Sequence, residues 1–236
     1  MNIDWTLLGF GPTGWGDEIA SGFLVTATLA LATLPIGLVA GFLLALAKQS
    51  GDRFLKLSAD IYTTIFRGLP ELLTLFLVYF GVNGALKSLT DATGLPSLAL
   101  SSFVSGMVAL GFVFAAFASE VFLSAFRAVP QGQREGAAAL GLRRSQTMVL
   151  VILPQLIRIA LPGLGNQWMN LLKDTALVSV IGLAELMRQT QIAARVTREP
   201  FLFFGVAIVL YLVLTILSSA AIGGIDRWAK RGEMAK

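Results

Sequence analysis

Ala128-Val129-Pro130-Gln131-Gly132-Gln133-Arg134-Glu135-Gly136-Ala137-Ala138-Ala139-Leu140-Gly141-Leu142-Arg143-Arg144-Ser145 is a polar, charged stretch set between long apolar runs. The runs decide the fold class, and the stretch between them points toward a partner. Of 236 residues, 56% are apolar and only 14% charged, where a soluble domain would carry about 25%. The apolar runs are long enough to cross ~30 Å of hydrocarbon as helices. Backbone groups in lipid must be satisfied internally, and the alternation of a barrel strand is absent. The expected fold is therefore all-α and polytopic, rather than a soluble all-helical core. About five transmembrane helices form a single transmembrane domain over residues 1–236, with a cytoplasmic loop at about 127–153.

The five spans are expected at 19–47, 61–82, 98–126, within 149–183, and 201–225. The fourth is interrupted by Pro154, Pro162, Gly163 and Gly165 and carries Arg158, Asn166, Gln167, Lys173 and Asp174. Such a span must face other protein or a watery cavity. Charge orients the set. Twelve of the eighteen Lys and Arg fall after spans one, three and five, including Lys48, Arg53, Arg134, Arg143 and Arg227. The positive-inside rule places those segments in the cytoplasm, the N-terminus outside and the C-terminus inside. The N-terminus up to Glu18 has no Lys or Arg, unlike a cleavable signal peptide.

There is no Cys and no His. Disulfides, thiolate chemistry and His-based metal or acid/base sites are thereby excluded. The net charge of +4 reads as loop charge that sets orientation, not as a nucleic-acid surface. No metal and no cofactor are expected. Five spans are too few for a symmetric two-half transporter, so a pathway needs a second copy or a homologous partner.

Within the long loop, Pro130 can open a helix. The segment 135–142 is rich in Ala, Leu and Gly, and Gly141 can supply a left-handed cap. A second short helix is expected over 144–153. The composition fits a knob that docks in a partner's groove, and it fits equally an amphipathic helix resting on headgroups.

The spacing of Glu135, Gly141 and Val151-Ile152-Leu153-Pro154 resembles the "EAA" loop of importer permeases of ATP-binding cassette systems. That pattern is E-A-A, three residues, G, about nine residues, then I-x-L-P. Gly136 replaces its first Ala, and Val151 its Ile. Ala128-Val129-Pro130-Gln131-Gly132-Gln133 resembles the A-V-P-x-G-Q of the polar amino acid subfamily. Arg67-Gly68-Leu69-Pro70 is similar to its R-G-T-P, with Leu69 for Thr. The segments from Ala160 to Asn166 and from Lys173 to Ser179 are similar to its A-L-P-x-x-x-N and K-x-T-A-L-V-S. The likeness covers the chain from about Phe66 to Pro200. It implies a type I permease fold in a bacterial inner membrane, importing polar amino acids, and Glu71 is similar to members carrying basic ones or opines. It also implies four partners: two copies of a cytoplasmic ATPase, a second permease subunit, a periplasmic solute-binding protein and lipid. Pro130, Glu135, Gly136, Ala137 and Gly141 would dock the ATPase. The chain itself lacks a G-x-x-x-x-G-K-[ST] phosphate loop, so hydrolysis is expected of the partner and not of this chain.

Glu120 lies well inside span three, and the family's arginine three residues on is Leu123 here. A lone carboxylate there costs at least ~2.5 kcal/mol unless paired or hydrated. It either meets a substrate cation or pairs with Lys173 or Arg158. Lys173 meets Glu120, a substrate carboxylate or a neighbouring subunit. Asn166 and Gln167 cap freed backbone or bind substrate. Arg67 and Glu71, four apart across Pro70, suggest a kinked ion pair or a gate near the mouth of span two. The polar segment 186–199 either contacts an external binding protein or rests on headgroups. Two rivals remain at this point. An intramembrane enzyme would need a nucleophile with a base, and a channel or secondary carrier would work without ATP.

Overall fold

The computed structural model describes residues 4–93 and 99–230. Ten α-helices follow in order: α1 Gly16–Lys48, α2 Arg53–Gly68, α3 Glu71–Phe76, α4 Asn83–Thr93, α5 Ser102–Ala128, α6 Gln131–Ala139, α7 Arg144–Thr147, α8 Leu153–Asp174, α9 Leu186–Thr197 and α10 Pro200–Lys230. A π-helical segment, Leu77–Val82, joins α3 to α4, and another, Met148–Ile152, joins α7 to α8. A 3₁₀ segment, Thr175–Ile181, prolongs α8. Five of these runs are long and apolar enough to cross a membrane: Gly16–Lys48, Glu71–Thr93, Ser102–Ala128, Arg144–Ile181 and Pro200–Ala229.

α5 is the central post. In its most apolar window 67% of residues are buried, against 33% in α1 and 22% in α10. It can be central because its inward positions are small: Ala109, Ala115, Ala116, Ala118 and Ser119 are all buried. α1 approaches it at two glycines. A Cβ on Gly37 would lie 2.5 Å from Phe114, and one on Gly41 would lie 2.9 Å from Ala118. Small residues on both helices let the backbones close, the usual basis of association where no hydrophobic force acts between helices.

Spans one, three and five match the expected runs within a few residues; the expected start of span three, Leu98, lies outside the described residues. The other two are corrected. Span two does not begin at Ile61. α2 is a separate helix, started by Asp52, whose carboxylate accepts from Phe54 N and Leu55 N, and it is not one of the five apolar runs. Leu69, before the proline, is extended at φ −93°, ψ 142°, because the proline ring disfavours helix in the residue ahead of it. The chain restarts at Glu71. Span four is not broken at Pro162, Gly163 or Gly165. Helix runs from Arg144 to Ile181, so the expected separate helix over 144–153 is instead the beginning of this span. The irregularity lies ahead of Pro154, whose missing N–H interrupts the regular ladder. The two glycines serve packing: a Cβ on Gly163 would lie 2.7 Å from Val121 of α5, and one on Gly165 2.9 Å from Ile222 of α10.

The segment 186–199 is a helix packed on one face against the bundle. α9 tucks Leu186, Thr190, Ala193 and Ala194 against its neighbours. Its hub is Glu185, fully buried. That carboxylate accepts from Met187 N at 2.9 Å, Arg188 N at 2.7 Å, Thr26 Oγ1 of α1 at 3.2 Å and Tyr211 Oη of α10 at 3.3 Å. Burial raises it to about 6 although four donors favour its charge.

Candidate functional site

Three places carry chemistry. The first is the polar loop. α6 opens after Pro130 and is closed by Gly141 at φ +76°. Leu142 N donates to Ala137 O at 3.0 Å and Gly141 N to Ala138 O at 2.9 Å, the paired bonds of a Schellman cap. Gln131 Nε2 donates to Glu135 Oε1 at 2.8 Å, and Gln155 Nε2 of α8 donates to Gln133 Oε1 at 3.2 Å. The rest of α6 faces outward. A Cβ on Gly132, Gly136 or Gly141 would meet nothing within 4 Å, and Leu140 is 83% exposed. Clefts of about 430 and 670 Å³ flank it, the first beside Leu142 and Arg144, the second beside Gln49 and Arg127. Of the five expected docking residues, Pro130, Glu135, Gly136 and Gly141 line this exposed surface. Ala137 is buried and holds the helix down.

The second place is an ion network inside the bundle. Lys48 Nζ lies 2.5 Å from Glu120 Oε1 and 3.4 Å from Asp60 Oδ1, and Arg67 Nη1 lies 3.4 Å from Glu120 Oε1. The Arg67 guanidinium also covers the Phe117 ring at 5.6 Å, a cation–π contact. Glu120 thus pairs with neither Lys173 nor Arg158. Arg67 does not pair with Glu71 either, because the extended Leu69 and Pro70 separate their two helices.

The third is an open cleft of about 290 Å³ among α3, α5 and α8, floored by Phe114 and Phe117. Glu71, Gln167, Asn170, Lys173 and Asp174 line it. Asp174 feels Glu71 and Lys173 electrostatically. Among the described residues none of these five side chains forms a hydrogen bond or ion pair. A cleft offering two carboxylates, one ammonium and two amides can hold a zwitterion or a cation by charge-assisted hydrogen bonds.

The sequence model of the binding-protein-dependent transport system inner membrane component matches residues 13–231. The chain belongs to that family. It is 42% identical over 234 residues to the nopaline transport system permease protein of Agrobacterium fabrum, covering 98% of each chain. It is 38% identical over 214 residues to the histidine/lysine/arginine/ornithine transport system permease protein of Escherichia coli, covering 91% of this chain and 94% of that one. A crystal structure of an amino acid ABC transporter with histidines matches at TM-score 0.79 and 32% identity, over 96% of this chain and 99% of that one. The MetNI methionine ABC transporter, at 20% identity and TM-score 0.67, shares the fold.

In this permease subunit, then, the predicted residues separate. Glu71 and Lys173 come together in the cleft. Glu120 belongs to the ion network, and Asn166 is exposed outside the cleft lining. Gln167, which with Asn166 was expected to cap backbone or bind substrate, lines the cleft; Asn170 and Asp174 were not among the expected path residues. Their signal was present: Gln167, Asn170 and Asp174 recur at spacings of three and four within an apolar run, which puts them on one side of a helix.

Proposed function

We propose that this subunit forms half of a path for a polar amino acid or opine, a basic one favoured, with Glu71, Asp174 and Lys173 meeting the cargo and Asn166 at the rim. The cleft of α3, α5 and α8 carries this reading, because it sets two carboxylates against one ammonium and a cationic cargo would balance the second carboxylate. The names of the relatives agree: one serves nopaline, another histidine, lysine, arginine and ornithine. A solute-binding protein delivers cargo from outside, and a second permease subunit closes the path. The N-terminus is periplasmic and the C-terminus cytoplasmic, with Lys48, Arg127, Arg134 and Arg143 on the cytoplasmic side.

The exposed face of α6, with Pro130, Glu135, Gly136 and Gly141, docks a cytoplasmic ATPase, one for each permease subunit. Hydrolysis belongs to that partner. The coupling has a mechanical basis. α6 is tied to α8 through Gln133 and Gln155, and Arg144 to Asp174 is helical almost throughout, a rod of roughly 45 Å. A push on the loop therefore moves Lys173 and Asp174 as part of a rigid element, which alternates access to the cleft.

The test is a gentle purification of the tagged complex from its native membrane, with mass spectrometry of what accompanies it. An ATPase should co-purify, and Glu135→Arg should release it while the chain stays folded. In proteoliposomes the intact complex should drive ATP-dependent uptake of lysine, arginine or an opine. Uptake without any ATPase would turn the reading toward a secondary carrier.

A further inference from the structure

α8 has a second face. Leu161, Leu164, Gly165, Trp168 and Leu172 recur at helical spacing and line a groove of about 530 Å³ between α1 and α10. Trp168 and the cleft residue Asn170 are two positions apart, so they point in nearly opposite directions. Apart from the Ser218 hydroxyl, the groove is lined by apolar side chains and glycine, including Leu31, Leu38, Leu217 and Ile225. An apolar groove of this kind does not hold water. A second permease subunit that shares the cleft sits on the opposite side of α8 and leaves this groove to the membrane; that step rests on the pairing proposed above.

One end of the groove is charged. Arg158 lies about one turn before Leu161 on nearly the same stripe of α8, half-buried. Among the described residues it makes no hydrogen bond or ion pair. The close approach of Gly165 to Ile222 sets the register of two antiparallel spans. It puts Arg158 level with the region just beyond Ile225. There Trp228, three residues on and on the same face of α10, is 71% exposed. An aromatic ring and an unpaired guanidinium at the end of an apolar groove are what a lipid headgroup with a negative phosphate requires. Asp226 follows Ile222 by one turn on α10 and borders the groove on its α8 side, and Arg158 forms no ion pair with it.

We infer that the groove between α1, α8 and α10 is a binding site for an anionic phospholipid, one acyl chain lying along Trp168 and the phosphate meeting Arg158. A zwitterionic lipid fills the groove with the same tail, but its choline or ethanolamine opposes the arginine.

The site can be read by photocrosslinking in the whole complex. Leu217→p-benzoylphenylalanine places the probe in the groove, and Val39→p-benzoylphenylalanine places it on a lipid-facing part of α1 away from it. The complex is reconstituted in vesicles of equal phosphatidylglycerol and phosphatidylcholine, irradiated, and the adducts weighed. The groove probe should capture phosphatidylglycerol over phosphatidylcholine by roughly fivefold, the scale of one arginine at an anionic surface. The control probe should capture the two as supplied. Arg158→Gln should equalise capture in the groove, and Arg158→Lys should keep most of the preference. Equal capture by the groove probe in the unsubstituted chain overturns the site, as does the same preference at the control position. A peptide adduct from another subunit in place of lipid overturns it too, and shows the groove to be a protein interface. Preference surviving Arg158→Gln removes the arginine from the site.

Discussion

Glu120 is held by Lys48 at 2.5 Å and Arg67 at 3.4 Å, whereas Glu71, Lys173 and Asp174 share an open cleft without one ion pair among them. Each group has members on membrane-crossing helices, Lys48 and Glu120 in one and Glu71, Lys173 and Asp174 in the other, and both mix acids with bases. They differ in whether the charges find each other. Glu120 and its cations fasten α1, α2 and α5 together, because a charge removed from water is stable only when paired. The cleft charges line a space that the chain leaves unfilled, and in the proposed reading the cargo completes them. Paired intramembrane charge therefore reads as architecture and unpaired charge as a site.

The largest expected effect breaks the paired side. Glu120→Gln leaves the Lys48 side chain, only 6% exposed, with Asp60 alone. It should cost about 3 kcal/mol, the lower part of the range for a broken buried pair, and lower the thermal unfolding midpoint of the purified chain. Glu120→Gln with Lys48→Met should recover most of that loss. An unchanged midpoint in the single variant would show that the network fastens nothing.

Glu185 extends the comparison to a buried acid held by neutral donors. Its folded value of about 6 lies above the ordinary 4.5, so the folded state keeps a proton that the unfolded chain releases. The stability it contributes is complete below about 4.5 and is lost as pH rises through about 6, about 2 kcal/mol in all. The protection of Leu186–Thr197 against hydrogen exchange, after division by the intrinsic amide rate, should fall between pH 5 and pH 7, and Glu185→Gln should remove that fall.

The unpaired side should respond in function rather than stability. Asp174→Asn should lower uptake of a basic amino acid by about tenfold, or ~1.4 kcal/mol, with no fall in the unfolding midpoint. A fall in stability instead would make Asp174 another structural charge and erase the distinction. The smallest effect lies in the loop. Gly141→Ala forces a Cβ into the left-handed region and should cost about 1 kcal/mol. It should loosen α6 in hydrogen exchange while leaving both charge groups intact.

Much of this was legible in the sequence. The three runs that became α1, α5 and α10 are long and strongly apolar, Glu120 being the one acid deep inside them, and hydropathy finds such runs without help. The cap at Gly141 was legible because only glycine takes that conformation easily. The boundary at Pro70 was not, because apolar residues continue on both sides of it and hide a helix end inside what looks like one span. The glycines of span four misled for a related reason: glycine breaks an isolated helix and also lets two helices touch, and only the neighbours Val121 and Ile222 tell which. The partners of Glu120 were out of reach, since Lys48 stands 72 residues away and no local spacing points to it.

The sequence by itself determined the helical membrane fold, the family and the exposed polar loop, because hydropathy, turn chemistry and motif spacing are local properties. The tertiary structure alone decided which intramembrane charges are paired and which stand open. Pairing depends on distances between helices, and those are fixed only when the bundle packs.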